Sequence, residues 1–211
     1  RIKTSRGNDQ ELCASVSAGA HTLLLAAPGT WPWWKEVAIE SNETLGYRAF
    51  TLPQQVPTRA LDAGKKEYIV AQNTLVTTLV PRAGSPLRSR DGARVVWFDE
   101  SARSLIAEWR GDERLLPQAF CATKDNCAST INLLSSIVEP VRAVALAPGR
   151  DDVVLVAIGA GVYALEMTAA PNPNFQTIYV GTSPTFVVHD ATTLSLGDGS
   201  PLFMLTLGAG L

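Results

Sequence analysis

Two histidines, His21 and His189, are the only imidazoles in the 211-residue chain, so any histidine relay must use one of them. His189 precedes Asp190 and could pair with a hydroxyl nucleophile, as could any surface His-Asp neighbour, but no Gly-x-Ser-x-Gly turn accompanies it. His21 opens an apolar run at 21–27, where a half-buried strand position accounts for it. Carboxylates are adjacent at Asp99-Glu100 and Asp151-Asp152. Glycosidases hold two carboxylates at a set separation across the scissile bond, which adjacency in sequence does not supply. Acids in turns more simply accept hydrogen bonds from backbone amides. Gly159-Ala160-Gly161 loosely matches a dinucleotide fingerprint. That motif works only between a strand and a helix, and residues 162–167 alternate as a strand. His-Glu-x-x-His, a phosphate-binding Gly-Lys-Ser/Thr and an Asp-x-Asp-x-Asp-Gly calcium loop do not occur. The sequence therefore reads as non-enzymatic, with no catalytic residues, cofactor or metal. The alternative is a glycan-acting hydrolase using Asp99, Asp151 or Asp190.

Cys121 and Cys127 bracket a polar, hairpin-like loop, Ala-Thr-Lys-Asp-Asn. A local disulfide fits there in an oxidising compartment, with two reduced thiols beside a turn as the alternative. Neither histidine sits at ligand spacing to them, which argues against a metal site. Cys13 reads as a small buried hydrophobe. Trp31, Trp33 and Trp34 form an aromatic knot after Pro28-Gly29. Tryptophan faces bind sugars and partner proteins. Trp33 reads as core. Trp31 and Trp34 are the candidate ligand- or partner-binding residues. The competing readings are core capping for Trp31 and contact with the next domain for Trp34. Asn42-Glu43-Thr44 fits a glycosylation sequon, and in a bacterial chain it reads as a turn.

The composition is that of a soluble globular protein, 46% hydrophobic and 18% charged. Eighteen basic residues against 20 acidic leave a net charge of −2 and no basic block to follow a phosphate backbone, which argues against nucleic acid. No run approaches the roughly 18 apolar residues that span a bilayer. The chain begins with Arg1 and shows no signal peptide. The expectation is a trimmed portion of something longer, with an anchor or export signal upstream.

The elements that must position these residues read as strands. Glycine and proline recur at short intervals with β-branched and aromatic residues between them, the mark of an all-β fold. Helical periodicity is nearly absent, and even residues 102–113 read better as a strand. Three strands are expected at 21–27, 33–40 and 44–52, ended by Pro53 and Pro57. In the second, Trp33, Val37 and Ile39 share the core face, interrupted by Lys35, while Trp34, Glu36, Ala38 and Glu40 face water. Residues 1–56 thus form a small domain, 57–65 a linker and 66–211 a second domain. In the second domain strands are expected at 67–72, 74–80, 94–98, 104–109, 131–135, 142–147, 153–158, 162–167, 175–180, 185–189, 193–196 and 202–207. The turn Ser89-Arg90-Asp91-Gly92 leading into Val95-Val96-Trp97 is echoed by Pro148-Gly149-Arg150-Asp151 leading into Val153-Val154-Leu155. Asp198-Gly199-Ser200 is a looser echo. Meanders repeated every 40 to 50 residues or so mark propeller blades. About three such units are visible, fewer than the roughly four of a closed ring.

Gly19-Ala20-His21-Thr22-Leu23, with Pro28-Gly29-Thr30-Trp31-Pro32-Trp33-Trp34-Lys35-Glu36-Val37, resembles the PEGA domain family over about a quarter of the chain. The family pattern is a Gly-x-His/Tyr-Thr strand, an aromatic turn and a Lys-x-Val strand. Thr30 and Trp31 stand where the family often has Gly and an aromatic. The remainder is similar to the degenerate propeller-like region that follows PEGA domains in some bacterial surface-associated proteins. Four segments carry this: 85–92, 148–153, 161–166 and 174–179. The resemblance implies a small β-sandwich-like domain followed by partial or degenerate propeller-like meander sheets. It also implies a non-catalytic, extracytoplasmic role in the bacterial cell envelope, in contact with a protein or glycan there.

Overall fold

The fold is seen in a computed structural model that describes residues 3–4, 12–190 and 192–207, with side chains from residue 14 onward. The reading of the Cys13 side chain lies outside the described residues. In chain order, β1 (Lys3–Thr4) pairs with β2 (Leu12–Cys13), and β3 (Gly19–Leu25) pairs with β4 (Trp33–Ile39) as a hairpin. Next come β5 (Thr58–Ala60) and the helix α1 (Lys66–Thr77). Then follow β6 (Leu87–Arg88), β7 (Arg94–Asp99), β8 (Ser104–Trp109), the small hairpin β9 (Cys121–Thr123) and β10 (Asn126–Cys127), and β11 (Thr130–Leu134). The rest is β12 (Val141–Leu146), β13 (Val153–Ile158), β14 (Gly161–Glu166), β15 (Phe175–Val180), β16 (Pro184–Val188), β17 (Thr193–Asp198) and β18 (Leu202–Thr206).

The chain is all-β, built mainly of three four-stranded antiparallel sheets ordered β11-β8-β7-β6, β12-β13-β14-β15 and β16-β17-β18-β5. Each is a meander. The middle sheet explains the run Val-Val-Leu-Val-Ala-Ile: β13 is buried on both faces, so it shows no apolar–polar alternation. Val153, Leu155 and Ala157 join a core shared with the third sheet and the hairpin; Val154 and Val156 join a second core shared with the first sheet. At the seam between the second and third sheets, Arg142 on β12 donates to the carbonyls of Pro184 and Gly159. The echoed turns recur as built: Gly92 and Gly149 both take φ 73°.

Three expectations are corrected. Residues 67–80 were expected to form two strands, and instead Lys66–Thr77 is a helix. Tyr68, Ala71 and Leu75, at helical spacing, lie on a cluster with Leu61, Leu202 and Met204 of the third sheet. Ile69, Val70 and Val76 remain exposed, so apolar residues on both sides of the helix blurred its period. The linker expected at 57–65 contains β5, which completes the third sheet by pairing Thr58, Arg59 and Ala60 with Leu205, Met204 and Phe203. Residues 44–52, expected as a strand, form no ladder. The Leu52 carbonyl accepts from Trp31 N–H at 2.8 Å, and side chains take other backbone groups: the Arg150 guanidinium donates to the carbonyls of Arg48 and Ala49 at 2.9 and 3.1 Å. Gln176 accepts from Leu52 N–H at 2.8 Å and donates to the Phe50 carbonyl at 3.1 Å.

Candidate functional site

The β3–β4 hairpin carries the tryptophans. Its register runs from Gly19 opposite Ile39 to Leu25 opposite Trp33. Alternation sorts β4 as expected: Trp33, Lys35 and Val37 are buried, whereas Trp34, Glu36 and Ala38 are exposed. Trp33 joins Phe50 and Leu52 in the core on the middle sheet. Lys35, buried on that face, lies 2.8 Å from the Glu166 carboxylate. Burial of a charge requires such a partner.

Asn174, itself buried, grips β4 from its free edge. Its Oδ1 accepts from Trp34 N–H at 3.0 Å and its Nδ2 donates to the Trp34 carbonyl at 3.0 Å. Trp34 therefore turns its backbone away from β3, so Leu24 and Trp34 form a non-hydrogen-bonded cross-strand pair, the kind with the closer side chains. Leu24 is 67% and Trp34 37% exposed, leaving an apolar pair open to solvent on a fixed backbone. Trp31 is different. It is half-buried, and its Nε1 donates to the Thr177 carbonyl at 3.0 Å, so its indole is engaged in the seam between hairpin and middle sheet.

The acids considered for glycan hydrolysis stand in turns of three different sheets, and each is held locally. Asp99 accepts from Ala102 N–H, Ser101 N–H and the Ser101 hydroxyl, which hold its carboxyl below the usual range. Asp151 pairs with Arg94 at 2.5 Å and with Arg48 at 3.8 Å. The Thr193 hydroxyl and Thr192 N–H lead in lowering the Asp190 carboxyl to about 2. None of the three bonds another. His189 does reach a hydroxyl, with Nε2 2.6 Å from Ser195 Oγ, but Ser195 is fully buried and the Asp190 oxygens are occupied by Thr192 and Thr193. His21 Nε2 contacts the Ser17 carbonyl at 2.8 Å. Gly159 lies in a turn at φ 54° and is followed by strand β14 rather than a helix, so the geometry for a dinucleotide phosphate is missing there. Among the described residues no group of three or more His, Cys, Asp or Glu could hold a metal ion.

Cys121 and Cys127 face each other across β9 and β10 and are joined as a disulfide. Such a bond points to an oxidising, extracytoplasmic environment. Lys124, at the tip of that loop, reaches Glu40 at 3.2 Å. Asn42 sits in the expected turn at φ 66°. Among the described residues no helix is long and apolar enough to cross a membrane.

Residues that matter here and were not singled out from sequence are Leu24, Arg150, Glu166, Asn174 and Gln176. One signal was present: Asn174 and Gln176 occupy alternate positions entering an apolar strand, where amides on the buried side must find backbone partners. No family model matches the chain, and neither a curated protein nor a solved structure shows significant similarity to it.

Proposed function

We propose that this chain is a non-catalytic, extracytoplasmic module of the bacterial cell envelope that contacts a protein or glycan through the Leu24–Trp34 face of its hairpin. The observation that carries the reading is the exposed indole of Trp34 on a backbone clamped at both polar atoms by Asn174. A rigid aromatic platform binds with little ordering cost. The disulfide and the resemblance of residues 19–37 to PEGA domains support the compartment. The acids and His189 are engaged in turns and a buried contact, which favours binding over hydrolysis.

The test is retention on purified peptidoglycan sacculi and on solubilised envelope proteins. The unaltered chain is expected to be retained by one of them. Trp34→Ala should weaken retention about tenfold or more while circular dichroism and the melting temperature stay put. Undiminished retention of a folded Trp34→Ala chain would sink the assignment of the face. Failure of the unaltered chain to bind either material would sink the reading itself.

A further inference from the structure

Among the described residues, nothing covers the outer edge of β3. Because Trp34 turns its N–H and carbonyl to Asn174, the pairs Leu24–Trp34, Thr22–Glu36 and Ala20–Ala38 are the non-hydrogen-bonded ones of the ladder. The backbone groups of Ala20, Thr22 and Leu24 therefore point out of the hairpin. All three residues are exposed, and no described residue bonds those groups. Proteins usually blunt such edges with charge, proline, a bulge or a cover. The seven residues Gly-Ala-His-Thr-Leu-Leu-Leu carry no Lys, Arg, Asp, Glu or Pro. Three other edges carry such devices: Asn174 occupies that of β4 at Trp34, Trp31 takes the Thr177 carbonyl on β15, and β5 is only three residues long.

The outward face of this hairpin is also self-complementary. Leu24 and Trp34 make one end bulky; Ala20 and Ala38 make the other small, with Thr22 midway. Ala20, Thr22 and Ala38 line a shallow concavity together with His21, Glu36 and Val37. We propose that β3 pairs antiparallel with β3 of a second copy of this chain, with Thr22 on the two-fold axis and Leu24 beside Ala20 of the partner subunit. Centring on Thr22 is the register in which every outward N–H and carbonyl of Ala20, Thr22 and Leu24 finds a mate. It also lays the bulky end of one hairpin on the small end of the other. The two Glu36 carboxylates then lie three strand spacings apart, roughly 14 Å, where physiological salt screens their repulsion. This inference does not rest on the envelope reading, because the pairing uses the strand edge and leaves the Trp34 ring open.

Sedimentation equilibrium of the full chain, from micromolar to millimolar, tests it. The weight-average mass should climb from 22.6 kDa toward twice that value. The amides of Ala20, Thr22 and Leu24 should gain protection from hydrogen exchange over the same range. Thr22→Pro removes an outward donor without touching the ladder to β4 and should leave a folded monomer. Thr22→Lys sets two ammonium groups face to face on the axis and decides the matter if the proline variant misfolds; it should raise the dissociation constant about tenfold or more. A chain that stays monomeric throughout, or a dimer that survives Thr22→Lys, overturns the proposal.

Discussion

Asn174 stands in for a neighbouring β-strand at Trp34. Its amide returns both hydrogen bonds that a paired residue would make, at 3.0 Å each. The same Nδ2 donates to Glu166 at 2.9 Å, and Asn174 N–H donates to that carboxylate at 3.1 Å. Glu166 in turn faces Lys35, the residue after Trp34, at 2.8 Å. One buried amide thereby fixes the backbone under the exposed indole and helps hold the carboxylate that Lys35 meets. A side chain does this here because the hairpin meets the middle sheet through separate side-chain contacts rather than through a strand ladder.

Asn174→Ala should therefore cost more than a surface truncation. It strands the Trp34 N–H and carbonyl and strips one side-chain donor from a largely buried carboxylate, which keeps the backbone N–H of residue 174, a penalty of about 2–3 kcal/mol. Urea unfolding followed by tryptophan fluorescence measures it. Asn174→Asp should cost at least as much, since it keeps the acceptor, loses the donor and places a second carboxylate beside Glu166. A cost near zero for both variants would show that the hairpin docks through Trp33, Phe50 and Leu52 alone.

The strand framework was legible because the local signals agreed with the tertiary structure. β8, β13 and β15 fall where alternation, apolar runs and flanking turns place them. The odd–even split of β4 is the same in both readings. Helix α1 was missed because Ile69, Val70 and Val76 are exposed, so its buried stripe of Tyr68, Ala71 and Leu75 does not stand out. Residues 44–52 look like a strand because they are extended and half-buried, yet their partners are the side chains of Arg150 and Gln176, about a hundred residues away. β5 was hidden by length: three exposed residues carry no period, and only β18 gives them a partner. For the site, the sequence pointed to Trp31 and Trp34 alike. What separates them is the Thr177 carbonyl, a long-range contact that no local pattern encodes.

The disulfide makes a prediction of its own. Native material should have a mass lower by two hydrogens than reduced material, with the bond mapped to Cys121 and Cys127 by peptide mass spectrometry. Replacing both cysteines with serine should cost about 2 kcal/mol, the loop-entropy contribution of so short a ring. That loss should be seen in urea unfolding and should match the effect of adding reductant to the unaltered chain. Free thiols in native material would remove the structural support for an oxidising compartment.

Acid should expose the turn at Asp190. Its carboxyl is lowered from 3.8 to about 2, chiefly by the Thr193 hydroxyl and then by Thr192 N–H. The folded state thus binds its proton later than the unfolded chain does. Stability from this group is complete above the unfolded value, fades as pH falls from about 3.8 toward 2, and is gone below that. Asp190→Asn keeps an acceptor but has no charge to protonate. It should be less stable than the unaltered chain at neutral pH, and its stability should fall less steeply between pH 4 and 2 or so. Part of the acid limb will persist, because Asp91, Asp99, Asp112 and Asp198 are also held below their ordinary range. Asp198 is the informative control: burial pushes it up, but the N–H groups of Ser183 and Thr182 and the Tyr179 hydroxyl bring it down. Urea midpoints taken in steps across this window give the two slopes. Parallel acid limbs for Asp190→Asn and the unaltered chain would mean that the Thr192 and Thr193 bonds do not hold the carboxylate in solution.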